Sequence, residues 1–395
     1  MLRVLTLSTL FPDAARPDFG RFVERQTRGL AALPDIEVKV VAARGLPPWP
    51  LDQMRRYAGL AALPGREDWH GLDVLRPRFL NVPASGGRFH ARCLAAALVP
   101  LLTKLRASFA FDVIDAEFFF PDGPAAVALG RRFGVPVSIK ARGADISHWG
   151  HHAATAGAVR AAGRAADGLL AVSGALRDEM AALGMDRERI RVHRTGVDHA
   201  AFAAHDRAAA KASLGIEGPL VVSVGALIPR KGHSIVVDAV SRLPGVALRI
   251  VGSGPEQVAL QAQIDALRIG QRAALLGQTP HAELPRLFAA ADVMALASAS
   301  EGLANVWVEA LAAGTPIVVP AIGGADEAVD RPAAGRIVAR TPEAFAAAIA
   351  QLLVSPPPPA AVRAVADRFS WDRNAAELRD HLQRLVDEPR QASSG

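Results

Sequence analysis

Short, nearly continuous apolar runs punctuate this chain, at 2–7 (LRVLTL), 36–41, 73–76, 112–115, 135–140, 168–172 and 190–193, and again at 220–224, 247–251, 273–276, 293–296, 317–319 and 336–338. Some, such as 317–319 (IVV), are unbroken, while others, such as 36–41 (IEVKVV), interleave polar residues. Continuous Val/Ile/Leu runs mark strands covered on both faces, the habit of parallel sheets. Between the runs lie stretches with helical spacing of apolar positions, such as 123–133, 232–243 and a stretch ending near Leu267. Strands alternating with helices of about 10–15 residues predict doubly wound α/β sheets. A helix from Ser173 has a natural N-cap, and two more helices are expected at 360–369 and 371–386.

The series runs through twice, so two α/β domains are expected: 1–205, then a linker at 206–218 where the sequence turns Ala- and Lys-rich, then 219–354. Ser355 and the prolines up to Pro359 act as stiff punctuation. The C-terminal helices, 355–388, are expected to pack back on the first domain, and 389–395 (PRQASSG is the end of the chain) to be disordered.

Composition narrows the class. The chain has 395 residues, half of them hydrophobic and 21% charged, enough apolar content for two cores. A single cysteine, Cys93, excludes a disulfide framework and fits a reducing compartment. The start, MLRVLTLSTLF, reads as a first strand and not a signal peptide. The net charge of +6 is uneven: residues 1–205 hold 27 Lys and Arg against 20 Asp and Glu, while 206–395 hold 18 against 19. A basic first half suits an anionic membrane surface or an anionic substrate, or is the ordinary solubilising use of Arg. Aromatic content of 5%, with no basic run interleaved with aromatics, argues against nucleic acid.

Candidate sites follow from this frame. The first strand-to-helix connection ends in Gly20 and lacks the G-x-G-x-x-G of a dinucleotide fold; a glycine there lets backbone approach a phosphate. The stretch 87–106 reads as an amphipathic helix, kinked or split at Pro100, that either covers a sheet or lies on a membrane. The turn Arg142-Gly143-Ala144-Asp145 sits after a strand, at the edge where open α/β sheets bind ligands. His148, His151 and His152 invite a metal, but no Cys or carboxylate follows at ligand spacing, so an exposed or acceptor-lining loop is expected.

The densest chemistry lies at 298–327. Glu301 in a loop and Glu309 in a helix flank Gly302, Leu303, Ala304 and Asn305, whose amides open a helix that Gly314 closes. Unpaired amides and the helix dipole attract anions there. Arg230 and Lys231, in the loop before another helix, add a fork and a mobile charge suited to a diphosphate. A hydrolase pair needs carboxyls roughly 5–10 Å apart about one bond; two acids gripping two parts of one ligand fit this setting better.

These pieces together resemble retaining glycosyltransferase family 4, a GT-B group. E-x7-E stands in SEGLANVWVEALAAGTPIV, with Arg230-Lys231-Gly232, Gly252-Ser253-Gly254-Pro255-Glu256 and Gly323-Gly324-Ala325-Asp326-Glu327 in the same half. Phe11-Pro12 with Gly20, Pro121-Asp122-Gly123, Arg142-Gly143-Ala144-Asp145 and Gly196-Val197-Asp198 match in the first half. The resemblance implies two parallel-sheet domains facing across a cleft and a nucleotide-sugar donor as co-substrate, with no other cofactor and no metal; no D-x-D occurs. It implies that Arg230 and Lys231 neutralise the diphosphate, Glu309 holds the ribose, and Glu301, with the amides of 302–305, meets the sugar. By the same resemblance Gln278 lies near the base and Gly20 approaches the diphosphate. Many members carry His where this chain has Arg142, so Arg142, Asp145 and Glu117 stay candidates without fixed roles, Arg142 as a binder of donor phosphate or of an anionic acceptor.

The expected function is transfer of a sugar to a glycan or lipid-linked acceptor in surface or exopolysaccharide synthesis, in the cytoplasm or peripherally at the inner membrane face. A nucleotide-sugar epimerase on the same scaffold, or a non-catalytic nucleotide-sugar-binding protein, are the alternatives.

Overall fold

A computed structural model describes residues 1–388, apart from the side chain of Arg56; the tail expected to be disordered, 389–395, lies outside the described residues. The chain divides into two compact units, Met1–Gly196 joined by the segment from Trp371 onward, and Val197–Ser370.

The first unit carries β1 (Leu2–Leu7), β2 (Ile36–Val41), β3 (Arg44–Leu46), β4 (Arg66–Trp69), β5 (Leu72–Leu75), β6 (Arg78–Leu80), β7 (Val113–Ala116), β8 (Val137–Ala141), β9 (Gly168–Ala171) and β10 (Ile190–Val192). Eight of them form one sheet in the order β10-β9-β8-β7-β1-β2-β5-β4, and β3 pairs with β6 apart from it. Every pairing in that sheet is parallel except β4 with β5. β7, β8 and β9 are buried at every position, the polar Asp115, Ser138 and Lys140 included. β4, Arg-Glu-Asp-Trp, escapes that pattern because it is a polar edge strand, reached through a tight turn with positive φ at His70 and Gly71.

Val197–Ser370 carries a wholly parallel sheet, β13-β12-β11-β14-β15-β16, built from β11 (Leu220–Val224), β12 (Ala247–Val251), β13 (Ala273–Gly277), β14 (Val293–Ala295), β15 (Ile317–Pro320) and β16 (Gly335–Val338). Its core joins Val221, Leu248, Ile250 and Val293 to Val236, Val240, Phe345 and Ile349 of the covering helices.

The boundaries differ from those expected. Residues 206–218 are not a free linker: they hold the helix Arg207–Ser213, capped by the Asp206 side chain, with Lys211 bonded to Asp292 at 2.6 Å within the second unit. The C-terminal helices divide. Pro359–Ala366 packs on Asn305–Ala313 in the second unit, and Trp371–Asp387 packs on Arg21–Ala31 in the first. That last helix is fixed by polar contacts as well as by Leu378 and Leu382: His193 Nε2 bonds the Asn374 carbonyl at 2.9 Å and Ser138 Oγ lies 3.0 Å from His381 Nε2.

The stretch 87–106 forms one helix, His90–Leu105, running on through Pro100, which sits at an exposed position. Leu94, Leu98 and Leu102 fall at four-residue spacing and are fully buried, and the helix packs on its neighbour helix Asp122–Phe133 and on β6. The segment 45–65 has structure of its own, a 3-10 turn at Leu51–Gln53 and a helix at Arg55–Ala62. No helix among the described residues is long and apolar enough to cross a membrane.

Candidate active site

Two loops of the second unit are zipped together. The loop after β11 runs into a 3-10 turn, Pro229–Lys231, and Gly232 takes φ 66°; a Cβ there would lie 2.1 Å from the Ala297 carbonyl oxygen. Only glycine lets the chain pass so close in that left-handed conformation. Beside it Ala299 N–H donates to the Arg230 carbonyl at 2.7 Å, and Arg340 Nε donates to the Ala297 carbonyl at 2.7 Å.

This approach brings three of the predicted residues into one cluster. Lys231 Nζ stands 2.5 Å from Glu301 Oε1, Arg230 Nη1 stands 3.5 Å from the same oxygen, and Ser298 Oγ donates to it at 2.7 Å. Arg230 also donates to the Ser300 carbonyl at 2.6 Å. The cations differ in access: the Arg230 side chain is 41% exposed and Lys231 14%, against 11% for Glu301. A cation pair sharing one carboxylate oxygen at the protein surface is ready to exchange that oxygen for a ligand phosphate. Behind them His233 is fully buried, with Nδ1 against Ser223 Oγ at 2.9 Å; burial lowers its pKa to about 4, so it is neutral in ordinary buffers.

Gly302, Leu303 and Ala304 are buried and lead into the helix Asn305–Ala313, with Ala304 as N-cap and Gly314 as its left-handed C-cap. Gly324 N–H donates to the Gly302 carbonyl at 2.7 Å, so the turn after β15 braces this helix start. Glu309, two turns along, is not part of the Glu301 cluster: its Oε1 lies 2.8 Å from His281 Nε2. His281 in turn lies edge-on to Phe202, ring centroids 5.8 Å apart. Gln278 is exposed just past β13.

The first unit holds the other candidates. Gly20 takes φ 70° as N-cap of Arg21–Ala31, and a Cβ on it would meet the Leu10 carbonyl oxygen at 2.4 Å. Arg142 is occupied within its own unit. Its Nη2 pairs with the Glu117 carboxylate, its Nε donates to the Glu117 carbonyl at 2.7 Å, and its guanidinium lies 4.8 Å from the Phe22 ring centre. Only 4% of the Arg142 side chain and none of Glu117 meets solvent. Glu117 also accepts from Gln26, whose oxygen accepts from Lys140, and Lys140 Nζ lies 2.9 Å from His193 Nδ1. Burial lowers the pKa values of Lys140 and of His193 and brings Arg142 to about 10, which leaves the guanidinium charged at neutral pH. Asp145 accepts the amides of Phe119, Arg142 and Gly143 at 2.7–3.1 Å and so shapes the turn.

Asp122 is fully buried at the start of its helix. One oxygen accepts the Thr9 amide at 2.8 Å, the other has no partner among the described residues, and burial raises its pKa to about 7. His148 and His152 stand with Trp149 and Phe120 in an aromatic cluster, and His151 lies 3.5 Å from Glu179. Among the described residues no three His, Cys, Asp or Glu converge as metal donors would.

Sequence reasoning did not find Ser298, His281 or Arg340. Ser298 carries a faint signal, three residues before Glu301. His281 and Arg340 carry none, being 28 and 43 positions from the groups they touch.

Two doubly wound α/β units, the second bearing paired cations and Glu301 at its loops and Glu309 in the helix that follows, are the architecture of GT-B glycosyltransferases. Two family models agree: "Glycosyltransferase Family 4" matches residues 19–201 and "Glycosyl transferases group 1" matches 206–368. The chain belongs to glycosyltransferase family 4. Among curated relatives, a D-inositol 3-phosphate glycosyltransferase of Mycobacterium avium is 36% identical over 218 residues, covering 51% of each chain. Its counterpart in Mycobacterium tuberculosis is 40% identical over 163 residues, 39% of this chain and 34% of that one. The chain thus spans about half or less of the length of these relatives. In fold it is similar to sucrose-phosphate synthase from Thermosynechococcus elongatus, with a TM-score of 0.80, 19% identity, and 98% and 100% of the two chains covered. It is likewise similar to Anabaena HepE solved with UDP, with a TM-score of 0.75, 21% identity, and 97% and 100% covered.

Proposed function

We propose that the protein is a retaining, metal-independent glycosyltransferase. It moves a sugar from a nucleoside-diphosphate donor to a glycan or lipid-linked acceptor in the synthesis of a surface or exported polysaccharide. The observation that carries the reading is the sharing of one Glu301 oxygen by Arg230 and Lys231 on zipped loops beside a helix start. The names of the curated relatives, and a fold neighbour solved with UDP-glucose, support a nucleotide-sugar donor.

In this mechanism the donor's diphosphate displaces Glu301 from Lys231, and both cations take up its charge. Freed, Glu301 turns to the hydroxyls of the transferred sugar, with the amides of 302–305 beside it. Glu309, held by His281, takes the ribose hydroxyls, and Gln278 lies towards the base. The bond from the anomeric carbon to the β-phosphate oxygen breaks as the acceptor hydroxyl oxygen bonds to that carbon from the same face. The hydroxyl proton passes to the departing phosphate oxygen, whose growing charge Arg230 and Lys231 stabilise in place of a divalent ion. The reaction takes place on the cytoplasmic side, against the membrane that carries a lipid-linked acceptor.

The test is a panel of UDP-, GDP- and ADP-sugars offered with and without acceptor and with a chelator. The reading predicts a glycoside of unchanged anomeric configuration, formed equally well with chelator. An inverted product, loss of turnover on chelation, or interconversion of the donor sugar without acceptor would each overturn the corresponding part.

A further inference from the structure

We infer that the protein docks on an anionic lipid surface through the segment 47–63 of its first unit, with Trp49 as its anchor. This extends the membrane part of the proposed function and rests on it, but at a different place from the helix the sequence pattern suggested. That helix, His90–Leu105, buries the stripe Leu94, Leu98 and Leu102 inside the unit, so its main apolar face is already covered.

The segment 47–63 does the opposite. Trp49 is 80% exposed, Leu51 41% and Met54 44%, gathered within six residues of a chain whose other large apolar side chains are mostly buried. Leu80, 45% exposed, ends β6, whose partner β3 ends at Leu46; Asn81 N–H bonds the Leu46 carbonyl at 2.8 Å, which puts Leu80 beside the root of the segment. The excursion is also held firmly. Arg44, buried, donates to the carbonyls of Leu60 and Leu63 at 2.9 and 2.6 Å, and Arg78 donates to that of Ala61 at 2.5 Å. Three hydrogen bonds from two arginines thus tie down the end of the helix Arg55–Ala62, so the apolar tip is presented by a braced base.

The chemistry around the tip selects the occupant. Arg55 follows Met54 directly and is exposed, as is Arg78, while the one carboxylate of the segment, Asp52, has an oxygen turned out of solvent. The unit also carries the basic excess of the chain. An exposed tryptophan with aliphatic neighbours and flanking arginines matches the boundary between acyl chains and anionic headgroups, where indole is at home and each nearby cation adds attraction. Four such side chains cover on the order of a few hundred Å², well below the ~800 Å² per partner of a stable protein interface, so a second copy fits less well.

The test is sedimentation of the full chain with vesicles of phosphatidylcholine alone and of phosphatidylcholine with about one-third phosphatidylglycerol. We expect binding to the anionic vesicles only, weakened by salt, and weakened about tenfold or more in the double variant Trp49→Ser, Met54→Ser. Arg55→Glu should weaken it by several-fold, and none of these changes should alter turnover on a soluble acceptor. Failure to bind anionic vesicles, or equal binding by the double variant, would overturn the inference. So would a dimer in light scattering that Trp49→Ser dissolves while vesicles are ignored. A protein that binds vesicles as expected but transfers no sugar would sink the proposed activity and leave the docking surface standing.

Discussion

Two of the clusters that join a basic side chain to a glutamate differ in their access to water. In the first unit Arg142 and Glu117 are 4% and 0% exposed and are enclosed by Gln26, Lys140 and His193. In the second, Arg230 and Lys231 share Glu301 at the mouth of two loops, with Arg230 41% exposed. A buried pair cannot trade partners, because removing one charge strands the other in low dielectric. Around Glu301 only Arg230 is well exposed, while Lys231 and Glu301 keep a narrow opening to water; because Arg230 and Ser298 also hold Glu301, losing Lys231 does not strand it. The same residue types are therefore enclosed in one place and open to solvent on one side in the other.

Substitutions can break this contrast. The largest effect is expected at the buried pair: Glu117→Ala leaves Arg142 unpaired and should lower stability by about 3–5 kcal/mol, read as a lower urea midpoint. A change within about 0.5 kcal/mol would mean that the cluster is not structural. At the more open cluster the outcome should differ: Lys231→Ala leaves Glu301 held by Arg230 and Ser298, so it should cost less stability than Glu117→Ala and reduce kcat/KM on the order of 10²–10³-fold. Equal losses of stability at both sites would erase the distinction.

Asp122 extends the contrast to pH. Its folded pKa of about 7 exceeds its unfolded value of 3.8, so the fold favours the protonated form. Its stabilising contribution is complete below pH 3.8 and is lost as pH rises through about 7. Asp122→Asn retains an oxygen for the Thr9 amide and cannot ionise. Relative to the parent, it should gain about 3 kcal/mol between pH 4.5 and 7.5 in paired urea titrations, an upper value if the site relaxes. Parallel pH profiles for the two proteins would contradict the burial argument. The smallest effect is expected at His281, whose bond to Glu309 is partly exposed: His281→Ala should raise the donor KM about fivefold with kcat little changed, worth about 1 kcal/mol.

Much of this was legible in the sequence. Strands such as β11 and β15 are continuous apolar runs buried at every position, and their spacing predicts the doubly wound sheets. Glu301, Arg230 and Lys231 were visible because loop residues at strand ends, glycines and helix starts announce themselves locally. Three things were not legible. The polar edge strand β4 has no apolar period. The helix Arg207–Ser213 looks like a linker because its hold, Lys211 on Asp292, is 81 residues away. The role of Arg142 also depends on a partner 25 residues away, Glu117 at the end of the neighbouring strand, which no local pattern reveals. For the same reason the stretch 87–106 reads as a candidate membrane helix: amphipathic spacing tells which side of His90–Leu105 is apolar, not that the protein itself covers Leu94, Leu98 and Leu102.

The central claim is that Lys231 and Arg230 bind a nucleoside diphosphate by taking it in place of Glu301. Calorimetric titration of UDP, GDP and ADP into the parent protein and into Lys231→Ala tests it most directly, with Glu117→Gln as a control outside the second unit. The account predicts saturable binding of one of these nucleotides to the parent, loss of at least about tenfold in affinity in Lys231→Ala, and little change in Glu117→Gln. Undiminished nucleotide affinity in Lys231→Ala, with the protein still folded, would contradict it.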